Sequence, residues 1–345
     1  MTSSTPVKGG LTLDQETEGP SQKKGSTADQ IDASGSSVIR PGDRIFQILS
    51  VASSSLVTAT IIAIAIFLLV RAVPSMSNNV ANFLTYNQDW NLLDTSAMKF
   101  GIPNLFLSTV AVSLLALLLA MPVALGIAIF LTSYAPKKLV KPLSFLVDLL
   151  AAVPSIVYGI WGFMAVGPFL SDVYRFLGEN LGFIFLFHHY ANSPAYDTGR
   201  NLFTGGIVLA IMILPVIAAT TREVFVQTPK GHIEAAQALG ATRWEVTKMA
   251  VLPFGKSGYI AGSMLGLGRA LGETMALYMV LAPTSLFRGS LLDGGTTFAT
   301  AIANAAPEFN DNLKAGAYMS AGLVLFLLTF VVNSAARIVA GNKGK

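Results

Sequence analysis

The sequence contains no cysteine and few charged residues, and both deficits exclude whole classes of protein. Without cysteine, the chain can form no disulfide framework, thiolate nucleophile, iron–sulfur cluster or cysteine-based zinc site. Its histidines are His188, His189 and His232, none in an H-E-x-x-H spacing, so the sequence predicts no metal site. Only 12% of residues are charged, against roughly 25% in soluble domains. The net charge of +4 is too small for a chain that neutralises nucleic-acid phosphates.

Hydrophobic residues make up 52% of the chain and are concentrated in long segments. Residues 45–70 carry no charge, and a helix of this length, at about 1.5 Å per residue, exceeds the roughly 30 Å hydrocarbon core of a bilayer. Five further long, mostly apolar segments predict an all-α polytopic membrane protein with six transmembrane helices. The predicted spans are 44–71, 101–136, 142–170, 201–221, 257–287 and 315–336.

The basic residues predict the orientation, because positively charged loops tend to stay on the cytoplasmic side. Sixteen of the 23 Lys and Arg residues lie in the segment up to Arg44, in residues 134–141 and 222–256, and at the C-terminus. An even number of spans puts both termini on this same side, so we expect them in the cytoplasm. Residues 1–43 have too few large apolar side chains to fold alone and predict a disordered tail ahead of a membrane domain over 44–345.

The loop 222–256 predicts two short helices separated by a glycine. Thr228 is a candidate N-cap with Pro229 at the first helical position, and Gly240 is placed to end this helix in a left-handed conformation. A capping box of Thr242 and Glu245 opens the second helix, which we expect to stop at Leu252-Pro253. Two such helices either form a knob that enters a groove on a partner or are simply a folded connection.

The spacing within this loop resembles the "EAA" loop of ATP-binding-cassette importer permeases. Its matching residues are Glu234, Ala235, Ala236, Gly240, Leu252 and Pro253. The family usually has isoleucine two residues before the Leu-Pro, where this chain has Ala250. The resemblance implies a coupling helix that docks on a separate ATPase subunit.

The fifth predicted span carries the charges Arg269 and Glu273, followed by Thr274. At a spacing of four, the two charged residues would share one helix face. Charges inside a membrane cost about 2.5 to 3.5 kcal/mol on insertion scales and normally face protein or a water-filled path. They predict either a structural ion pair or a conduit in which the guanidinium binds a passing oxyanion and the carboxylate limits its retention.

Glycines occur along the same span in two pairs, each with a spacing of four residues. Small residues at this spacing let a second helix approach closely, which places the span in the interior of the protein. The predicted packing residues are Gly262, Gly266, Gly268 and Gly272.

Two segments together, Gly266 to Met275 and Leu150 to Gly159, resemble the PstC family of phosphate-importer permeases. The resemblance extends from about Arg44 to the C-terminus and implies a type I importer core of the MetI-like kind in a bacterial cytoplasmic membrane. It also implies phosphate passage past Arg269 and Glu273. The implied partners are a sister permease PstA, a dimer of the ATPase PstB and the phosphate-binding protein PstS. ATP and Mg²⁺ would bind to the ATPase, so this chain itself is expected to be neither an enzyme nor the carrier of a cofactor.

Three alternatives remain at this point. A single arginine does not distinguish tetrahedral oxyanions, so the transported anion could be sulfate or molybdate. An ion-coupled secondary transporter would show inverted repeats and additional carboxylates within the membrane, and we see neither. The third alternative is an intramembrane enzyme or a sensor. The sequence has no constellation of His or Cys residues that would support an enzyme. Stimulated ATP hydrolysis in a co-purified complex would distinguish an importer from a sensor.

Overall fold

The computed structural model describes residues 41–188, 190, 193–284 and 286–341, and the predicted tail therefore lies outside it except for residues 41–43. Two compact units divide the chain. The described part of the first, residues 41–57, is the beginning of helix α1, Pro41–Ser77. The second unit begins at Thr58 and contains all the other described elements. The described chain is helical, with two isolated β-bridges near residues 79–99.

Thirteen α-helices occur in the described residues, together with three π-helical turns. Two of these turns keep consecutive helices continuous, α4 with α5 and α9 with α10, whereas the first ends at the extended residue Ala135. After α1, the helices are α2 Pro103–Ile129, α3 Lys137–Ala151, α4 Ser155–Trp161, α5 Gly167–Asn180, α6 Pro194–Thr198, α7 Leu202–Val226, α8 Lys230–Ala238, α9 Arg243–Val246, α10 Leu252–Leu271, α11 Met275–Val280, α12 Phe298–Ala305 and α13 Asn312–Gly341. The π-helical turns are Phe130–Tyr134, Gly162–Val166 and Thr247–Val251.

Five helices in the described chain are long and apolar enough to cross a membrane, one fewer than the six predicted. They are Arg44–Ser77, Pro103–Tyr134, Ser155–Asn180, Ala195–Val226 and Asn312–Ile338. The predicted second span is one helix that begins at Pro103 and continues through Pro122. The predicted third span, 142–170, is wrong as a single helix, because α3 ends before Pro154 and α4 begins after it.

The predicted fifth span, 257–287, is also wrong as a single helix, and α10 and α11 take its place. Taken together, α10 and α11 run antiparallel to α7. A β carbon at Gly255 would meet Phe225 near the end of α7, and one at Gly205, near its beginning, would meet Leu277 and Leu281. Together α10 and α11 therefore follow nearly the whole length of α7.

The main hydrophobic core lies where α2, α7, α10 and α11 meet. α2 runs parallel to α7, because Val112 contacts Gly205 and Ala128 shares a cluster with Phe225.

At the edge of the second unit, residues 58–77 of α1 are mostly exposed. Its last turns contact the beginning of α13, where Ser75 Oγ donates to the Leu313 carbonyl oxygen at 2.7 Å.

Candidate functional site

The charged part of the predicted fifth span lies at a break between two helices. Residues 272–274 separate α10 from α11, and glycine at 272 is a poor helix former. The Glu273 carboxylate accepts the Ala276 N–H at 3.2 Å and so satisfies the start of α11. Thr274 lies in the same linker, and its hydroxyl donates to the Gly272 carbonyl oxygen at 3.4 Å. The prediction that Arg269 and Glu273 share one helix face is therefore wrong.

Arg269 lies two residues before the end of α10, and its side chain is partly buried. The single ion pair among the described residues joins Arg175 and Asp172, so no Arg269–Glu273 ion pair is present. No hydrogen bond from the Arg269 guanidinium to another described residue is formed either. The guanidinium lies close enough to the Tyr158 hydroxyl on α4 for the two groups to interact electrostatically. The N–H donors of Arg269 are thus available to a ligand.

A second helix break lies beside the first. α3 ends at Ala151 and α4 begins at Ser155, and the Tyr158 hydroxyl donates to the Leu150 carbonyl oxygen at 2.9 Å across this gap. α4 then packs against α11 with almost no space between the backbones. A β carbon at Gly159 would come 2.8 Å from the Ala276 α carbon. The two segments that resemble phosphate permeases, far apart in sequence, are therefore neighbours in space.

The four glycines predicted to pack helices have different surroundings. β carbons at Gly262 and Gly266 would meet side chains of α7, so these two lie at the α10–α7 contact. A β carbon at Gly268 would lie 3.3 Å from an amide oxygen of α13. Gly272 is exposed at the end of α10, and its nearest neighbour would be the Gly268 carbonyl oxygen at 3.8 Å. A packing role for Gly272 is therefore not visible in this structure.

The loop 222–256 contains the two predicted helices. α8 ends at Ala238, and Gly240 has φ of +80°, in the left-handed region. The Gly240 N–H donates to the Gln237 carbonyl at 2.9 Å, and the Ala241 N–H donates to the Ala236 carbonyl at 3.2 Å. This pattern is a Schellman motif, which satisfies the last carbonyl groups of α8.

The start of α8 differs from the prediction. The helix begins at Lys230, with Pro229 in the N-cap position. Thr228, the predicted N-cap, is buried, and its hydroxyl instead donates to the Phe225 carbonyl oxygen at 2.8 Å. Thr228 therefore completes the end of α7.

The predicted capping box opens α9. The Thr242 N–H donates to Glu245 Oε2 at 2.7 Å, and the Glu245 N–H donates to Thr242 Oγ1 at 3.4 Å. Hydrogen bonds from Thr242 hold the pKa of the Glu245 carboxyl below its ordinary value of 4.5. Because the folded-state pKa is lowered, the cap contributes fully above that ordinary value and is lost as the pH falls through the folded-state pKa.

The sequence predicted that the second helix stops at Leu252-Pro253, and this prediction is wrong. Val251 and Leu252 both have helical backbone angles, so α9, the π-helical turn and α10 form one continuous helical segment. Pro253 lies in the first turn of α10, where a proline, which lacks an N–H, is tolerated. The loop is therefore joined through uninterrupted helix to the span that carries Arg269.

The surface of α8 and α9 is exposed and partly apolar. Glu234 and Ala235 are exposed, and Ala236 is half-buried. Two large apolar side chains lie in the same region, Leu239 at 89% and Trp244 at 53% relative exposure. Sequence reasoning did not select these two residues, although a tryptophan on a short polar helix is a typical signal of an interface.

The geometry defines a class of protein. It is a helical membrane protein in which α10 ends at a helix break near Arg269, and an exposed knob formed by α8 and α9 continues without interruption into α10. A profile of the family described as "Binding-protein-dependent transport system inner membrane component" matches residues 120–343. The chain belongs to this family.

Three curated relatives are similar to the chain over most of its length. The phosphate transport system permease protein PstC 2 of Mycobacterium tuberculosis is 53% identical over 88% of this chain and 93% of its own. PstC of Mycobacterium leprae is 52% identical over 90% of this chain and 97% of its own. PstC of Xylella fastidiosa (strain Temecula1) is 38% identical, with coverages of 86% and 90%.

Among solved structures, the inward-facing MetNI methionine ABC transporter has a similar fold. It matches 71% of this chain and 96% of the MetNI chain, with a TM-score of 0.51 and 16% sequence identity. At this identity the similarity concerns the fold alone, which is that of an importer permease.

Proposed function

We propose that this chain is a permease subunit of an ATP-driven importer that moves inorganic phosphate across a bacterial cytoplasmic membrane. The observation that carries the proposal is the 53% identity to a PstC permease over 88% of the chain. The free guanidinium beside a helix break supports it, because such a group suits a transported oxyanion. The chain supplies a path and catalyses no reaction itself.

Arg269 is the residue that we assign to anion passage. A guanidinium presents five N–H donors in a fork that matches phosphate oxygens, and a partly dry environment strengthens these bonds. Arg269 has no ion pair among the described residues, so binding an anion requires no prior separation from a carboxylate. The sequence-derived idea that Glu273 neutralises Arg269 through a direct ion pair therefore needs revision.

For Glu273 we propose a different role at the same break. The first N–H groups of a helix attract anions. At the start of α11, however, the Glu273 carboxylate already accepts the Ala276 N–H. This keeps the helix terminus from holding a passing phosphate, and the negative charge disfavours long retention of a divalent anion. Thr274, in the same linker, offers a hydroxyl to the path.

The knob on α8 and α9 is the proposed docking site for the ATPase subunits. Its docking residues would be Glu234, Ala235, Ala236 and Gly240, together with the exposed Trp244. The continuous helical segment from Arg243 to Leu271 is roughly 40 Å long at 1.5 Å per residue. Movement of the knob during ATP binding would therefore be transmitted directly to Arg269. ATP and Mg²⁺ would be held by the ATPase, and Leu252-Pro253 lies along the transmitting helix.

The proposed orientation puts the loop 222–256 and both termini in the cytoplasm. The unequal distribution of basic residues supports it, as do six crossings when α10 and α11 are counted as one. The proposed complex contains a PstA-type sister permease, two PstB-type ATPases and, on the outer side, a PstS-type phosphate-binding protein.

Uptake into reconstituted vesicles tests the proposal. The co-purified complex, with ATP inside the vesicles and binding protein outside, should accumulate phosphate and hydrolyse ATP faster when the binding protein carries phosphate. Sulfate and molybdate with their own binding proteins serve as comparison substrates. Uptake that needs an ion gradient but no ATP, or ATP-driven uptake of sulfate in preference to phosphate, would contradict the proposal.

A further inference from the structure

A second arginine lies beside a cavity at the outer half of the same crossing. The cavity has a volume of about 270 Å³ and is bounded on one side by α11 and on another by α12. Its polar lining residues are Arg200, Tyr278, Thr300 and Asn304. Arg200 is the one charged residue of this lining, and no carboxylate belongs to it. Its electrostatics therefore favour an anion.

Arg200 is held in place, but its hydrogen-bonding capacity is not used up. Nη2 donates to the Leu281 carbonyl oxygen at 2.9 Å, and the guanidinium carbon lies 5.2 Å from the centre of the Phe163 ring. The Nε–H is buried and has no hydrogen-bond partner in the described part of the chain. A buried donor without a partner costs free energy unless a ligand or water satisfies it. An oxyanion in the cavity would accept from the Nη N–H groups that the Leu281 carbonyl oxygen does not use.

The cavity also has a suitable size and position. A water molecule occupies about 30 Å³ in the liquid, so the volume accommodates a tetrahedral oxyanion with part of its hydration shell. The lining residues Leu277, Tyr278 and Leu281 belong to or directly follow α11, whose first residues adjoin the break near Arg269. α11 has six residues, which correspond to about 9 Å. An anion leaving the cavity would thus need a short step to reach the break.

We propose that Arg200, with Thr300 and Asn304, forms an outer anion-receiving site from which phosphate passes along α11 to Arg269. The inference rests on the proposed function and deepens it by adding a second anion-binding site to the path. Two separated cations let the anion transfer stepwise, so neither site has to bind tightly enough to retain it.

Two substitutions test this site by different means. Arg200→Gln removes the charge, whereas Asn304→Asp is nearly isosteric and introduces a carboxylate opposite an unchanged Arg200. Each variant should lower the initial rate of phosphate uptake by about tenfold or more at limiting phosphate, the effect of losing one charge-assisted hydrogen bond. Assembly with the partner subunits should be unchanged.

Matched controls come from residues outside the cavity lining. Arg288 stacks on the Tyr190 ring at 5.2 Å, as Arg200 does on Phe163, but does not line the cavity. Arg288→Gln and Asn310→Asp should therefore keep uptake within about twofold of the unmodified complex. Arg200→Lys, which keeps the positive charge, should recover most of the uptake lost in Arg200→Gln.

The outcomes separate this inference from the proposed function. If the unmodified complex transports phosphate and Asn304→Asp transports it equally well, the outer site is wrong and the proposed function stands. Equal losses in Arg200→Lys and Arg200→Gln would make Arg200 a structural residue and also overturn the site. If the unmodified complex moves no phosphate, both the proposed function and the outer site are wrong.

Discussion

Gly159 in α4 lies so close to α11 that a β carbon at this position would come 2.8 Å from the α carbon of Ala276. Such a distance requires one backbone to move. The contact joins the segment after the first helix break to the segment after the second. The arrangement of the two breaks therefore depends on the absence of a side chain at this residue.

Substituting Gly159 with alanine should push α4 away from α11. We expect the complex to lose about 1 to 3 kcal/mol of stability, the usual cost of overpacking, and to lose much of its uptake. Thermal denaturation of the purified complex measures the first effect. Gly126→Ala is the control, because a β carbon there meets nothing within 4 Å and the helix gains in propensity. Equal stabilities of the two variants would contradict the close contact.

Substituting Arg269 with glutamine should abolish phosphate uptake while leaving the complex assembled, because the charge serves the anion and has no ion-pair partner to lose. Uptake into vesicles and co-purification of the subunits measure the two parts separately. Arg175→Gln, which removes an exposed cation paired with Asp172, should keep normal uptake. Near-normal transport by Arg269→Gln would remove Arg269 from the path.

Glu273 contributes both a charge and a helix cap, and two substitutions separate these contributions. Glu273→Gln keeps an oxygen that accepts the Ala276 N–H, so stability should be nearly unchanged while uptake falls. Glu273→Ala also removes the cap and should destabilise the protein by about 1 kcal/mol more. Denaturation midpoints and uptake rates are measured for both. Normal uptake by Glu273→Gln would show that the residue only caps α11.

The apolar spans and the charged residues were predictable from composition, whereas the breaks in two spans were not. Apolar residues flank residues 152–154 and 272–274 on both sides, so average hydrophobicity over each segment gives one helix in each case. Pro154 and Gly272 were the available signals. A proline disfavours the helical conformation of the residue before it, and a glycine lowers the stability of a helix. Proline alone is ambiguous, because Pro122 lies inside an intact helix. Tertiary contacts, such as the Tyr158 bond to Leu150, decide between the outcomes.

The loop 222–256 shows the opposite kind of difference. Its caps at Gly240 and Thr242 follow local rules and were predicted correctly, because each depends on residues within one turn. The predicted stop at Pro253 failed because the π-helical turn Thr247–Val251 carries the helix into α10. The Arg200 site was not found at all, because Arg200 is roughly 80 to 100 residues away in sequence from the other lining residues and only folding brings them together.

Substituting Glu234 with lysine should detach or uncouple the ATPase. Glu234 is exposed on α8 and makes no ion pair among the described residues, so reversing its charge should affect a partner and not the fold of this chain. Co-purification and stimulated ATP hydrolysis measure the effect. Glu179→Lys reverses another exposed acidic residue, outside the knob, and should leave both unchanged. Unaltered ATPase stimulation in Glu234→Lys would exclude this residue from docking.

Gly240 has φ of +80°, and a side chain there would be strained by about 1 to 2 kcal/mol. Gly240→Ala should therefore loosen the Schellman motif, speed hydrogen exchange of the Gly240 and Ala241 amides, and weaken the stimulation of ATP hydrolysis. Gly231→Ala, in the first turn of the same helix, has open space around its β carbon and should slow exchange instead. Because each variant adds one methyl group, in α8 or just after its end, a difference between them isolates the backbone angle. Similar exchange in the two proteins would mean that the knob tolerates a different ending and that its shape does not depend on Gly240.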